Sequence, residues 1–167
     1  MTVTRAVTIR PIEPADLPML EDLMVREFGA PLVVSAGVIH DVRQLPGFIA
    51  IRDDVRAGIA CYDITEAGCE VVAIAGIGVG SALLHAVIDE ARAVGCERVW
   101  LITTNDNTRA LRFYQRHGFD LCALRRFAVD EARRFKPEIP DLGEDDIPIR
   151  HELELELFLD QPGSTVE

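Results

Sequence analysis

Apolar residues recur along the chain either at alternate positions, as in a strand, or at the spacing of a helix. The predicted elements begin and end where one pattern gives way to the other. Residues 3–10 alternate loosely and predict a first strand, after which apolar positions at helical spacing predict an amphipathic helix that ends at Gly29. The segment 30–47 fits neither period clearly. Beyond it, β-rich runs separated by turns at 52–54 and 66–68 predict three antiparallel strands in a meander.

The middle of the chain predicts a strand-helix-strand unit. A helix over about 81–94 carries an apolar stripe, and the strand predicted over 97–104 is apolar on both faces. The order strand, glycine turn, helix and buried strand favours a right-handed crossover between parallel strands. The remaining predicted elements are a short helix within 105–119, a strand over 120–129, a surface helix and loop over 128–149, and a last strand over 151–159 with its leucines inward and its glutamates outward.

Length and composition limit the classes of protein. A chain of 167 residues fits one domain, which we expect to span 1–167. Apolar residues make up 49% and charged residues 27%, and no apolar run approaches the ~20 residues of a membrane helix. The net charge is −11, and Lys136 is the sole lysine beside sixteen arginines. The excess of acid argues against a nucleic-acid partner, and we expect no membrane partner.

The cysteines carry a second compositional signal. All four stand singly, without a CxxC pair, and the N-terminus lacks the apolar core of a signal peptide. These features predict a cytoplasmic protein without a disulfide framework and without a bound metal.

A glycine turn is the strongest candidate for a ligand site. Gly76, Gly78 and Gly80 follow an apolar strand and open a helix, whose first N–H groups are free to bind a phosphate. No lysine lies near the turn, which excludes a Walker loop. A dinucleotide fold is disfavoured because Ser81 occupies the third glycine position and Asp106 comes 30 residues after Gly76, rather than roughly 20. A coenzyme A site and a turn that binds nothing remain.

A second motif decides between these alternatives. Gly78-Val79-Gly80 is followed by Ser81-Ala82-Leu83-Leu84, and downstream of the next strand come Asn107, Ala110, Phe113, Tyr114, Gly118 and Phe119. Together these pieces resemble the GNAT (Gcn5-related) N-acetyltransferase superfamily, over roughly residues 5–127. The resemblance implies an α/β fold of the α+β, mixed-sheet type: a single domain with a mostly antiparallel central sheet, splayed at one parallel strand pair, and helices on both faces.

The resemblance also implies a ligand and an activity. Acetyl-CoA would lie between the splayed strands as cosubstrate, and its acetyl group would pass to a primary amine. The residues that would bind it are Val72, Ala73, Gly76, Gly78, Val79, Gly80, Ser81, Asn107, Arg109 and Ala110. Asn107 has an alternative role as a helix cap. An arginine stripe at 109, 112 and 116 would meet the 3′-phosphate or else form a solvated face.

One position departs from the family pattern. The family usually carries Arg or Gln three residues before the first of its two key glycines, and Ala75 stands there in this chain. The connection from the strand to the glycines is also shorter than usual. An acyl-CoA-binding sensor without turnover is therefore the alternative function.

Direct attack by an amine on the thioester needs two proton transfers. Tyr114 shares a helix face with Asn107 and Ala110 and would protonate the leaving thiolate, unless it is only a core tyrosine. Glu70 precedes the glycine turn, where several relatives place a glutamate, and would accept the amine's proton, unless it faces solvent. The histidines stand isolated and are expected to be structural.

The acceptor is not readable from the sequence. A small amine, an amino acid, a peptide N-terminus and a lysine side chain all stay open, and so does assembly as a homodimer. Residues 128–149 either cover the acceptor or merely connect strands.

Overall fold

The computed structural model describes residues 6–160. Its strands are β1 (Val7–Pro11), β2 (Leu32–Ser35), β3 (Val38–Asp41), β4 (Gly47–Arg52), β5 (Val55–Thr65), β6 (Gly68–Gly76), β7 (Arg98–Thr104), β8 (Asp120–Arg125) and β9 (Glu152–Phe158). Its helices are α1 (Leu17–Phe28), α2 (Gly80–Ala93), α3 (Thr108–Arg116) and α4 (Ala128–Ala132), with short 3₁₀ turns between some elements. The start of the first predicted strand, at residues 3–5, lies outside the described residues.

Seven strands form one mixed sheet in the order β1-β4-β5-β6-β7-β9-β8. Every pair is antiparallel except β6 and β7. These two parallel strands pair only through Cys69 with Val99 and Glu70 with Trp100, and then separate. The mostly antiparallel sheet with one splayed parallel pair, expected from the sequence, is confirmed.

A β-bulge lies in β6 just beyond the point where β6 and β7 separate. Tyr62 of β5 pairs with Val71 and Cys61 pairs with Ala73, so Val72 has no register partner in β5. Nor does it have one in β7, because that pairing ends at Glu70. A bulge bends a strand and re-aims its neighbours, so the backbone around Val72 is directed into the opening between the strands.

Apolar side chains fill both faces of the sheet. Helix α2 covers one face through a buried row that includes Leu83, Leu84 and Val87. Helix α1 covers the other face through Leu20, Leu23 and Met24. Each helix buries one amphipathic stripe, and the helices lie on both faces of the sheet, as the family resemblance implies. No helix within residues 6–160 is long and apolar enough to cross a membrane.

The ambiguous segment 30–47 forms a separate hairpin of β2 and β3. Ser35 and Ala36 in this hairpin bond to side chains of β6 and β9, so the hairpin lies over the main sheet on the side away from α2.

Three expectations about the C-terminal third are wrong. The strand predicted over 120–129 ends at Arg125, because Phe127 takes a left-handed conformation and α4 begins at Ala128. The segment 128–149 does not merely lie on the surface, since Val129, Lys136 and Ile149 are buried. The glutamates of the last strand do not all point to solvent, since Glu152 and Glu154 are buried. β9 is an interior strand between β7 and β8, and the β2–β3 hairpin covers its second face.

Candidate coenzyme and acceptor site

The glycine turn connects β6 to α2, and its glycines have different roles. Gly76 has φ +130°, and a Cβ there would lie 2.5 Å from the carbonyl oxygen of Ala57, so the close approach of β5 requires this glycine. Gly78 has φ +69° and forms the turn itself. Gly80 is the first residue of α2, and its Cβ position faces the ring of Phe113. Gly76 and Gly78 are therefore required by the fold itself, and only Gly80 faces the space in which a ligand would lie.

Several backbone N–H groups of the turn donate no hydrogen bond to the described part of the protein. Within residues 6–160, the N–H groups of Gly78, Val79, Gly80, Ser81 and Ala82 donate no hydrogen bond, while that of Leu83 begins the helical ladder on the Val79 carbonyl at 3.1 Å. Val79 itself is buried in the core. Free N–H groups at the positive end of a helix dipole bind anions well.

Arg52, at the end of β4, reaches the same turn. Its guanidinium donates to the carbonyl oxygens of Gly78 at 2.8 Å and Ile77 at 3.3 Å. The sequence did not single out Arg52, because it precedes the turn by 26 residues and only the sheet brings it there. The guanidinium of Arg52 therefore places a positive charge at the turn. Ala75, which stands where the family usually carries Arg or Gln, has no such group.

Ser81 and His117 form a hydrogen-bonded pair beside the turn. Nδ1 of His117 lies 2.7 Å from the carbonyl oxygen of Phe113, which can only accept, so Nδ1 carries the proton. Nε2, 3.0 Å from Oγ of Ser81, then accepts the serine hydroxyl in the neutral ring. His117 is therefore not isolated, contrary to expectation.

A basic cavity of about 540 Å³ lies next to this pair. Its lining consists of Ser81, Arg109, Arg112, Phe113, Arg116 and His117. The arginine stripe of α3 thus faces the beginning of α2. Arg109 is 86% exposed and lies 3.6 Å from Glu144, so it stands at the outer edge.

Two other predicted residues of α3 have structural contacts. Asn107 caps the helix, since its Oδ1 accepts the N–H of Ala110 at 3.1 Å. Ala110 is half-buried and packs against the core on the α2 face of the sheet. Asn107 also lines the second cavity described below, so capping does not remove it from the candidate site.

Tyr114 lies on α3 with its ring in the core. It is 8% exposed and packs edge-on against Phe113 and Phe119, with ring centroids 5.0 and 5.5 Å away. Within residues 6–160 its hydroxyl makes no hydrogen bond. Burial raises the pKa of this phenol. The hydroxyl therefore keeps its proton and has no protein partner for it.

Glu70 is buried where β6 and β7 separate, so it does not face solvent. The Ser35 hydroxyl donates to Oε1, and Nε2 of His40 lies 3.4 Å from Oε2. Burial raises the pKa of the Glu70 carboxyl, and the Ser35 hydrogen bond and the charge of His40 oppose that rise. His40 in turn lies 3.8 Å from Asp63 and is not isolated either. The structure places Glu70 in a polar cluster under the β2–β3 hairpin.

A second cavity, of about 520 Å³, opens between the splayed strands and the C-terminal segment. Val72 of β6 and Ile102 and Thr103 of β7 line one side. The segment 128–149 lines another, and Glu152 of β9 also reaches the space. We call this space the acceptor cavity. Glu70 and Ala73 are not among its lining residues, whereas Val72, the bulge residue, is.

The cysteines and acidic groups offer little for a metal. All four cysteines are free. Donor atoms of Cys122, Glu154 and Glu156 lie within 4.8 Å of one another, but the two carboxylates already pair with Arg98.

The comparisons with known proteins agree with this geometry. The profile of the Acetyltransferase (GNAT) family matches residues 17–119. An acetyltransferase of Bacillus subtilis, solved in complex with CoA, superposes with a TM-score of 0.72 over 93% of this chain and 100% of its own, at 22% identity. A GNAT acetyltransferase of Elizabethkingia anophelis with acetyl-CoA bound gives 0.64 over 92% and 98%, at 21% identity. The fold is therefore that of the GNAT acetyltransferases.

Closer sequence relatives extend over most of the chain. YdhI of Bacillus subtilis (strain 168) is 38% identical over 141 residues, which are 81% of this chain and 88% of YdhI. YxbD of the same strain is 38% identical over 133 residues, 77% of this chain and 84% of YxbD. With more than half of the chain matched by the family profile, the protein belongs to the GNAT family of acetyltransferases.

Proposed function

We propose that this protein transfers the acetyl group of acetyl-CoA directly to a primary amine. The observation that carries the proposal is the opening between β6 and β7, which has the free N–H groups of the glycine turn on one side and the acceptor cavity on the other. A thioester in this opening would have its phosphates at the turn and its carbonyl beside Val72. The amine would approach from the acceptor cavity.

The phosphate end is proposed to rest on the turn and on nearby cations. The N–H groups at 78–82 would bind the pyrophosphate, and Arg112 and Arg116 would bind the 3′-phosphate in the basic cavity. Arg52 would take the place of the basic or amide side chain that Ala75 lacks. These contacts support coenzyme binding despite the departure from the family pattern.

The chemical step needs a neutral amine, an oxyanion donor and a proton for the thiolate. The amine nitrogen attacks the thioester carbon, an N–C bond forms, and the developing oxyanion accepts a backbone N–H near Val72 or Ala73. The C–S bond then breaks, and the sulfur takes the proton of the Tyr114 hydroxyl, which has no protein partner. The amine's proton passes to Glu70 or to water. Acetylated amine and coenzyme A are the products, and the phenolate regains its proton from solvent.

An amine panel separates this proposal from a coenzyme sensor without turnover. Free thiol released from acetyl-CoA is followed with and without each amine, together with the melting temperature in the presence of acetyl-CoA. The proposal expects amine-dependent thiol release. A rise in melting temperature without thiol release from any amine would support the sensor instead. Action in the cytoplasm and assembly as a homodimer stay predictions.

A further inference from the structure

His40 is a buried histidine whose ring has a nitrogen without a hydrogen-bond partner. It lies on β3, in the hairpin that covers the sheet, and is 6% exposed. Its Nε2 is out of contact with solvent and makes no hydrogen bond within residues 6–160. Because most buried polar atoms in proteins are hydrogen-bonded, this nitrogen requires an explanation.

Two carboxylates face the ring, one at each nitrogen. Nε2 lies 3.4 Å from Oε2 of Glu70, and Nδ1 lies 3.8 Å from Oδ2 of Asp63. Both distances are too long for a good hydrogen bond but short enough for an ion pair. The imidazole of His40 therefore lies between two acids.

The sheet explains why the two acids lie together. Glu70 of β6 and Asp63 of β5 are direct cross-strand partners, so their side chains are on the same face of the sheet. Like charges in this arrangement repel each other. The side chain of Asp63 is 35% exposed, so water screens its charge in part, whereas Glu70 is buried. The hairpin places the ring of His40 at both carboxylates.

Several groups act on the ionisation of Glu70, and most of them oppose it. Burial raises the pKa of this carboxyl most, and the charges of Asp63 and Glu154 add to the rise. Glu154, on β9, already pairs with two arginines. The Ser35 hydroxyl and His40 lower the pKa of Glu70. Of these two groups only His40 can carry a positive charge, so it is the side chain that can balance the neighbouring acids.

Resting on the proposed function, we propose that His40 is a positioning residue for the base: a proton on its Nε2 faces Glu70 and keeps that buried carboxyl ionised, so that Glu70 can take the proton of the amine. In each turnover an N–H bond of the amine breaks and an O–H bond forms on Glu70, which loses this proton to water before the next turnover. His40 lines neither cavity and acts only through Glu70.

The acid limb of the pH profile of kcat/KM tests this role. Glutamine is close to histidine in size but has no charge, so the Glu70 carboxyl should be protonated at higher pH in His40→Gln. We expect the limb to move up by about one pH unit, a tenfold loss on the limb itself, and a plateau within about twofold of wild type. His85→Gln, at an exposed position of α2, is the control. An unmoved limb, or an equal loss at every pH, would overturn the proposal.

A second substitution separates charge from packing. In the His40→Gln background, Asp63→Asn removes a negative charge that raises the pKa of Glu70, and it keeps the shape of the side chain. We expect the acid limb to move back toward wild type by part of the shift, since Asp63 is partly exposed. Asp22→Asn in the same background, at an exposed position of α1, should have no such effect. A limb that Asp63→Asn does not move would contradict the electrostatic role.

The proton on Nε2 can be observed in the wild-type protein without turnover. Nitrogen-15 NMR of labelled histidine distinguishes a ring nitrogen that carries a proton from one that does not. At neutral pH we expect Nε2 of His40 to carry one, in contrast to Nε2 of His117, which accepts the Ser81 hydroxyl in the neutral ring. A bare Nε2 in His40 would overturn this inference alone, even if His40→Gln does not fold. No thiol release with any amine would overturn the proposed function and this inference with it.

Discussion

A Cβ placed on Gly80 would lie 3.3 Å from Cζ of Phe113, so the first residue of α2 and the middle of α3 are in contact. Phe113 lines the basic cavity together with Arg112 and Arg116. A larger side chain at position 80 would therefore push this ring toward the space proposed for the coenzyme, instead of filling the turn directly.

The variant Gly80→Val should lose coenzyme binding and keep its fold. Because the valine displaces Phe113, we expect acetyl-CoA to produce little or no rise in melting temperature, while the far-ultraviolet circular dichroism stays that of the wild type. Ala93→Val, at the exposed last residue of α2, is the control for a β-branched residue in this helix. A wild-type shift in a folded Gly80→Val protein would place the coenzyme elsewhere.

The variant Tyr114→Phe removes one oxygen that has no hydrogen-bond partner in the protein. The free energy of unfolding should therefore change by less than about 1 kcal/mol. Turnover should fall roughly 10²–10⁴-fold if the hydroxyl protonates the thiolate, nearer the lower end because a thiol of pKa ~8.5 is a fair leaving group. Steady-state kinetics and urea unfolding measure the two effects.

The chain supplies a matched control for this change. Tyr62 is also buried and stacks on Phe48, with ring centroids 5.9 Å apart, but it lies on β5, whereas Tyr114 lies on α3 next to Phe113 of the basic cavity. Tyr62→Phe should leave turnover unchanged. A Tyr114→Phe enzyme with wild-type turnover would reduce Tyr114 to a core residue and assign proton delivery to water.

The variant Glu70→Gln tests the acceptor of the amine's proton. Glutamine can still accept the Ser35 hydroxyl but cannot take a proton, so turnover at neutral pH should fall roughly 10²–10⁴-fold. The loss should shrink as the pH rises toward ~10, where the amine is neutral without help. Burial raises the pKa of Glu70, so wild-type activity should fall on the acid side as this carboxyl becomes protonated.

The pH profile of kcat/KM is the measurement for Glu70. Glu66→Gln, in the exposed turn before β6, is the control. Profiles of the same shape in Glu70→Gln and wild type would exclude Glu70 as the base and leave the proton to water.

Asp16 predicts how stability depends on pH. This buried carboxylate accepts hydrogen bonds from Arg10 at 2.7 and 3.0 Å and from Arg56 at 2.7 Å, and the Arg10 bond is the main reason that its pKa lies well below the usual range. Its contribution to stability is present above the unfolded-state pKa of ~3.9 and is lost as the pH falls below that value.

Asp16→Asn should therefore destabilise the protein by about 1–3 kcal/mol at pH 7, a range reduced because both arginines are partly exposed. The difference from wild type should narrow as the pH is lowered below ~4. Urea unfolding across this range measures it, with Asp22→Asn, at an exposed position of α1, as control. If the difference in the free energy of unfolding between Asp16→Asn and the wild type did not depend on pH, packing and not charge would explain the loss of stability.

Local patterns in the sequence were sufficient for most of the fold. The glycine turn, the stripe of α2 and the doubly apolar β7 are each encoded within one stretch, and together they define the crossover and its parallel pair. The prediction that the glutamates of β9 face solvent was wrong, because their burial depends on a distant segment of the chain and not on a local pattern. Strict alternation predicts one solvated face, but the hairpin that covers this face lies more than a hundred residues away in the chain.

The candidate site could be predicted from the sequence only where a single motif contains its residues. Tyr114 and Asn107 lie on a helix whose pattern marks them, whereas Arg52, Ser35 and Glu152 reach the site through tertiary contacts without a local signal. Lys136 had one compositional signal, since it is the sole lysine of the chain.

The initial rate of thiol release, with acetyl-CoA and the most active amine of the panel varied together, tests the central claim most directly. Direct transfer predicts no release without the amine, acetylated amine equal to the thiol formed, and double-reciprocal lines that intersect because both substrates are bound at once. Parallel lines with an acetyl group on the protein would contradict direct attack, since they indicate a covalent intermediate. Thiol release that does not depend on any amine would contradict acetyl transfer to an amine altogether.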